Sequence, residues 1–564
     1  MPRKCLLFIL TTILFLFNVS PLWAAEALPY AASGRQQLIH QQQQQQAREA
    51  ALAQPAPDVR TPVVQTATGR GFPQETPCFH FNSVYLENLA SMPVWLPLDR
   101  VAQQGVGPCL GSEGISQLMA RIQNKIIEHG YITTRVLAPA QDLTGGKLTL
   151  VIVPGKINKI IINDSAGAYI QPYTLLPSRE GALLDLRDIE QGLENMQRLP
   201  TVQADIQIAP GSEPGSSDLR VAWAQSRHWR LGLSLDDAGS ESTGRYQGGL
   251  TLYLDNPLSL SDMFYFSLGQ DVTPGNALGS DNHTLHYSVP LGYWSLGITG
   301  SRNGYYQTVA GAGDDYQYRG DSDNLNVSLS RVLHRNANQK TSISYDVLLR
   351  RSRNFIDDTE VEVQRRATTA WKLGLQHRHT LGTSTLDAAV SLQQGTRWFG
   401  AQPAPEEMFD EGDALARIVQ ISASWEMPFT LFGQSFRYTP SYFRQISHTL
   451  LTPQDQIALG GRWSVRGFDG ELSLSADRGW YWRNDLAWRT PLPTQELYLG
   501  VDYGEVGGDS ADWLVGKHLA GGVIGLRGSL WQVGYDLFAG VPLSKPAGFR
   551  TDPATFGFNL NWNY

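Results

Sequence analysis

The last stretch of the chain alternates without a break. Phe556, Phe558, Leu560, Trp562 and Tyr564 are interleaved with Gly557, Asn559, Asn561 and Asn563. Successive side chains of an extended strand point to opposite faces, so this stretch has one apolar and one polar face. The same period of two recurs upstream. Leu250, Leu252 and Leu254 flank Thr251 and Tyr253; Trp294, Leu296 and Ile298 flank Ser295 and Gly297; Leu325, Val327 and Leu329 flank Asn326 and Ser328; Trp531, Val533 and Tyr535 flank Gln532 and Gly534. Apolar residues make up 42% of the chain. Beyond the N-terminus, however, no run approaches the roughly 20 apolar residues that a membrane-spanning helix needs. Strands that face lipid on one side and water on the other are only half apolar. Residues 226–564 are therefore expected to form an antiparallel transmembrane β-barrel. Sixteen strands would allot about 21 residues to each strand and its connection, and fourteen or eighteen fit the same arithmetic. A soluble β-sandwich also alternates, but it has no need of an aromatic-rich apolar face.

The N-terminus supports export. Arg3 and Lys4 precede an apolar core from Leu6 to Phe17, and Ala24 follows at a cleavage point. Residues 1–24 read as a signal peptide, and the core is short for a membrane anchor. Cys5 would leave with it. Cys78 and Cys109 are then the two cysteines of the mature chain, in an oxidising compartment that favours a disulfide. Its loop would contribute about 3–4 kcal/mol on the chain-entropy model. Two Cys without a nearby His pair are too few ligands for zinc, and no metal or cofactor is expected. The net charge of −8, without a Lys/Arg block, makes nucleic acid a poor partner.

Residues 25–53 are rich in Gln and Ala, with six consecutive glutamines from Gln41 to Gln46. They favour helix but have no wide apolar stripe, so a polar helix and a disordered low-complexity tail both remain open. Residues 54–77 hold Pro55, Pro57, Pro62, Pro73 and Pro77 and read as an extended linker. Two similar units follow, at 78–154 and 155–225. In the first, Ile115, Leu118, Met119, Ile122 and Ile126 share a helical face, Gly130 stops the helix, and strands are expected over 131–137 and 147–153. In the second, Asp185 caps a helix carrying Leu186, Ile189, Leu193 and Met196, with strands on either side. Each unit is a small α+β module.

Several motifs make the chain resemble a two-partner secretion transporter, of the haemolysin secretion/activation and filamentous haemagglutinin transporter type. Gly130-Tyr131-Ile132-Thr133-Thr134-Arg135-Val136 and Leu148 to Gly155 are similar to segments of that family's first POTRA domain. Asp255-Asn256-Pro257-Leu258 with Ser261-Asp262 resembles its first barrel hairpin. Ser464-Val465-Arg466-Gly467-Phe468 resembles the Val-Arg-Gly-Tyr tip of its sixth extracellular loop, with Phe468 in place of the Tyr and the hydroxyl lost. The ending on Trp562 and Tyr564 resembles the C-terminal signal that outer-membrane barrels present to their assembly machinery.

The resemblance implies a mainly β fold: a plug helix over 25–53, two POTRA domains in the periplasm and a sixteen-stranded barrel in the outer membrane. It also implies that Arg466 pairs with Asp502 of the wall motif Asp502-Tyr503-Gly504. An arginine fork can grip a carboxylate at two points, and Gly467 allows a tight tip. The expected function is capture of an unfolded partner, carrying an N-terminal secretion domain, and its threading to the cell surface. The barrel would act as a monomer among outer-membrane lipids. A barrel-assembly factor of the same superfamily would share the loop motif, but two modules and a plug-like N-terminus favour secretion. A barrel hydrolase is the third reading. The chain has no Gly-x-Ser-x-Gly, His-Glu-x-x-His or Cys-x-x-Cys motif, so no catalytic residue is expected.

Overall fold

In lipid, every backbone polar group of a spanning segment must find a partner within the protein. Alternating strands meet that demand only by pairing on both edges until the sheet closes. In the computed structural model, which describes residues 30–53, 57–62, 65–67, 69, 71–163, 169–275, 277–310 and 314–564, they do so. The expected signal peptide, residues 1–24, lies outside the described residues. Among the described residues sixteen long antiparallel strands, of 8 to 21 residues, form a closed barrel, with the two-residue Thr359–Glu360 as a small extension. The last strand, Thr555–Asn563, pairs with the first, Trp229–Asp236, from Asn559 opposite Asp236 to Asn563 opposite Gly232. Leu250, Leu252, Phe266, Leu325 and Phe556 stand exposed on the outer face, where lipid would cover them.

Connections at the two ends differ. At the end bearing the modules several hairpins turn in two residues, as at Phe432-Gly433 and Trp531-Gln532, all four with positive φ. Such turns match the strand twist. At the far end the longest connection, residues 448–477, carries its own small ladder of Ile457–Leu459 against Leu474–Ala476.

Both modules pack one main helix on a three-stranded sheet. In the first, Lys147–Val153 lies between Ser83–Glu87 and Arg135–Leu137. The helix Ser112–Glu128 buries Leu118, Ile122 and Ile126 against Leu148, Leu150 and Ile152. Glu75 receives the backbone N–H groups of Gly111, Glu113 and Gly114 at 3.0, 2.8 and 2.6 Å, capping that helix from the linker. Cys78 and Cys109 are joined beside it by a disulfide. In the second, Ser216–Gln225 lies between Lys156–Ile162 and Val202–Pro210 under the helix Leu186–Gln197. Short helices at Leu98–Ala102 and Pro172–Leu175 complete the modules.

One expected strand is shorter than its sequence suggests. Of residues 131–137 only Arg135–Leu137 is strand. Gly130 has φ 101°, Ile132 N–H donates to Gly130 O, Thr134 N–H donates to Tyr131 O, and Tyr131 turns into the core. The segment is used as a joint. Thr134 Oγ1 accepts the Gly155 N–H at 3.0 Å, Leu184 N–H donates to Gly155 O and Leu186 N–H donates to Gly130 O, both at 2.9 Å. A Cβ on Gly155 would lie 2.0 Å from Thr133 Oγ1.

The second module is in turn bolted to the barrel. Asn195 Nδ2 donates to Gly292 O at 2.8 Å, Tyr293 Oη donates to Asp188 at 2.6 Å, and Arg230 and Thr201 both hold the fully buried Asp255.

Asp185 sits in the joint between the modules and accepts the Arg187 N–H. Burial, and then the neighbouring Asp188, push its carboxyl up to about 7. The folded joint therefore holds this proton more tightly than the unfolded chain, whose aspartate titrates near 3.9. Its contribution to stability is complete below about pH 4 and is lost as pH rises through about 7. Asn caps a helix as well as Asp. Asp185→Asn should thus narrow the gap between the modules' melting temperatures at pH 5 and pH 8 in the detergent-solubilised chain. A gap unchanged from wild type would refute this assignment.

Candidate functional site

A closed barrel encloses a polar lumen, and two segments enter it. The first is Tyr30–Leu52, a single helix of 23 residues. Its glutamines explain how a helix without an apolar stripe is held. An amide donates and accepts without bringing charge into the lumen. Gln36 bonds Ser473, Gln37 bonds Thr243, Gln43 reaches Ala458 O, Gln44 reaches Ala238 O, and Gln45 bonds Ser301, Asn303 and Asn324. Arg48 reaches Gln247 at 2.9 Å. Leu38 and Ile39 are buried, and His40 lies 5.8 Å, ring to ring, from Trp463.

The linker that follows is gripped mainly through its backbone. Glu194 and Glu190 accept the N–H groups of Val59 and Thr61, Arg335 donates to Val59 O, and Asn124 pairs with both backbone groups of Thr66.

The second segment is the 448–477 loop, which folds back into the lumen and sets its tip against the wall. Arg466 Nε and Nη2 donate to the two oxygens of Asp502 at 2.7 and 2.8 Å, and its backbone N–H adds a third bond at 3.0 Å. Nη1 donates to Asp485 at 2.7 Å. Asp502 is 0% and Arg466 6% exposed, so each charge depends on the other. Breaking such a buried pair typically costs about 3–5 kcal/mol because a charge is left alone.

The neighbouring residues shape the seat. Gly467 has φ 97°, and a Cβ there would lie 2.4 Å from Val541 O. Val465 is fully buried against Gly504, where a Cβ would come within 2.9 Å of its side chain. The Phe468 ring meets Phe549 edge-on at 5.7 Å.

Val465, Arg466, Gly467, Phe468, Asp502 and Gly504 thus meet in one place. Cys78 and Cys109 stand in the first module. Trp562 and Tyr564 stack at 6.0 Å on the last strand's module end. Asp485 escaped the sequence reading. Its one signal is parity: on Arg478–Arg489 it lies opposite Gly500, one inward position from Asp502 on the adjacent strand. Among the described residues no group of three or more His, Cys, Asp or Glu is placed to hold a metal.

Residues 215–528 match the model of the haemolysin secretion/activation protein family ShlB/FhaC/HecB. The chain belongs to this family. It is an outer-membrane two-partner secretion transporter, in a family of transporters rather than enzymes. Residues 79–155 match a ShlB-type POTRA domain and 156–210 a second POTRA domain. The transporter is 36% identical over 558 residues to "Outer membrane transporter CdiB-2" of Burkholderia pseudomallei (strain 1026b), covering 94% of each chain. It is 27% identical over 481 residues to "Hemolysin transporter protein ShlB" of Serratia marcescens, covering 83% of this chain and 81% of that one. Its fold superposes on CdiB from Escherichia coli with a TM-score of 0.85 at 28% identity, covering 96% of this chain and 100% of that one.

Asp502→Asn keeps the shape of the loop seat but removes the charge that holds Arg466. It should raise the rate at which an external protease cuts the 448–477 loop, while heat-modifiable electrophoretic mobility stays that of a folded barrel. An unchanged cleavage rate would show that the pair does not hold the loop.

Proposed function

We propose that the transporter holds its lumen closed with a removable plug, the helix Tyr30–Leu52, and a lid, the loop tip at Arg466, and that both yield to an unfolded partner. The observation that carries this reading is the contrast between the two holds. The helix is kept by dispersed bonds, most of them between neutral groups and worth only about 1 kcal/mol net each, and its Arg35 and Arg48 are met by the neutral amides of Gln456 and Gln247. The lid's tip is kept by a buried ionic fork on Asp502, with Asp485 beside it. A helix held in this way can leave without stranding a charge in the lumen, whereas the lid has two defined positions, seated or released.

The partner reaches the periplasm unfolded and is recognised through an N-terminal secretion domain by the two POTRA modules. Addition of an extended segment to an exposed sheet edge would read backbone rather than side chains. Folding outside would draw the chain through, since no nucleotide is available there. Transporters of this kind export exoproteins such as haemolysin or CdiA. We favour a CdiA-type partner, because relatives named CdiB reach 36% identity where the haemolysin transporters reach 27%. The barrel works as a monomer, is seated in outer-membrane lipid, and is delivered by the barrel-assembly machinery that reads Trp562 and Tyr564.

Deletion of residues 25–53 should raise single-channel conductance in planar bilayers severalfold, with the barrel still folded. Conductance equal to the full chain's would remove the plug from this account. Arg466→Ala should lower secretion of the partner while leaving barrel assembly intact. Secretion at wild-type level would remove the lid.

A further inference from the structure

The helix in the lumen is not centred. Its bonds run to Ala238, Thr243, Gln247, Ser301 and the 448–477 loop. On its other side, past Gln42 and Gln46, lies a cavity of about 920 Å³. The barrel wall there is made of hydroxyls and amides, among them Ser328, Ser344, Gln376, Gln420 and Ser422. Such groups offer an extended backbone hydrogen bonds that water can replace, and they are interspersed with apolar side chains such as Leu348, Ile418 and Phe443 and with the charged Asp346 and Lys372. The nearby Lys372 is already engaged by Gln420 at 3.0 Å.

A second, smaller cavity lies toward the 397–416 loop, lined by Thr368, Thr369, Ala414 and Ala416. The two cavities share five lining residues: Leu348, Arg350, Gln393, Ile418 and Asp455. Arg350 Nη1 donates to Asp455 Oδ1 at 2.8 Å across that shared boundary. Arg350 stands on the wall strand Gln339–Ile356, and Asp455 belongs to the folded-back loop. Gln393 and Thr452 also donate to the Asp455 carboxylate, and Gln445 donates to its backbone O at 2.8 Å. Just before it, Leu451 is buried against Ala416 and Ile418, and Asp413 N–H donates to Leu450 O at 3.0 Å. The loop is thus tied to the wall here as well. This tie is six strands around the barrel from Asp502, at the boundary that the two cavities share.

We propose that the hydroxyl-and-amide wall is the lane along which the extended partner crosses the lumen, and that Arg350–Asp455 is the latch at its exit. This rests on the export reading above. It adds a route within the lumen and a further electrostatic hold on the loop that is independent of Arg466, besides that of Arg462 on Asp237. A chain moving up the lane meets the pair end-on. Parting it frees the loop's near side and joins the two cavities, while the Arg466 seat on the far wall can persist.

Charge reversal tests the latch in the full-length chain. Arg350→Asp alone and Asp455→Arg alone each set like charges together, and each should raise KCl conductance in planar bilayers severalfold with residues 25–53 still present. The double reversal restores an opposite pair and should return conductance toward wild type. Recovery in the double variant shows that the rise comes from the broken pair, and heat-modifiable electrophoretic mobility checks that each single variant is folded.

The lane is tested with a CdiA-type exoprotein stalled in transit by a fused, disulfide-locked domain. A photo-crosslinking residue at Gln376 or Ser422 should trap it. The same residue at Thr251 or Thr284, inward-facing on the opposite wall, should not. Unchanged conductance in both single reversals overturns the latch, and crosslinks at Thr251 and Thr284 without any at Gln376 and Ser422 overturn the lane. Either result leaves the export reading standing. A wild-type chain that carries no such partner to the surface overturns all of it.

Discussion

A wall in lipid can leave no peptide group unpaired, and in this transporter that demand sets everything else. It forces the strand Thr555–Asn563 back onto Trp229–Asp236. Once the sheet is closed, the inward half of every strand faces a space that lipid cannot enter. That space must be polar, and whatever occupies it must be held by polar contacts. The glutamine-rich helix and the folded-back loop are two solutions to the same problem. A wholly hydrophobic plug would bury the lumen's many polar groups without partners, and a highly charged one would need a counter-charge at each turn.

The holds fall into a graded series. The disulfide is covalent. The Arg466–Asp502 seat is ionic and buried, so it is either fully made or expensively broken. The helix is kept by many bonds of ordinary strength that water can substitute. The second module is fixed to the barrel at Gly292, Tyr293 and Asp255, while Gly130 and Gly155 hold the two modules together through backbone groups. Rigidity is therefore concentrated below the barrel, and the replaceable contacts are concentrated inside it. A gated pore needs that distribution, because its frame must stay still while its contents move.

Much of this could be read from the residues. Period-two alternation identifies the wall because closure makes the two faces of every strand chemically different. The helical face of Ile115 to Ile126 and the cap at Asp185 are local signals, and local signals survive any tertiary context. Phe468 and Gly504 were legible through likeness to a family, and the reason for each lies in packing: one ring edge on Phe549, one missing Cβ beside Val465. Asp485 was not legible, since its meaning depends on which residue lies opposite on the next strand. Residues 131–134 look like strand because Ile and Thr favour extended backbone, but a joint with Gly155 claims their hydrogen bonds. The four- and five-residue helices hold too little periodicity to announce themselves. The off-centre position of the helix depends on partners hundreds of residues away.

The run from Gln41 to Gln46 has one more consequence. A tract of one residue type meets a change of length differently from mixed sequence. In most helices a one-residue insertion is ruinous, because it turns everything beyond it by about 100° and presents the wrong side chains to their partners. Here the tract carries the same amide on every side. After a slip, another glutamine stands where Gln43, Gln44 or Gln45 stood before, facing Ala458, Ala238 or Ser301. Only the flanking residues must re-seat. The homopolymer thus makes the fit of the helix insensitive to the exact length of its own middle.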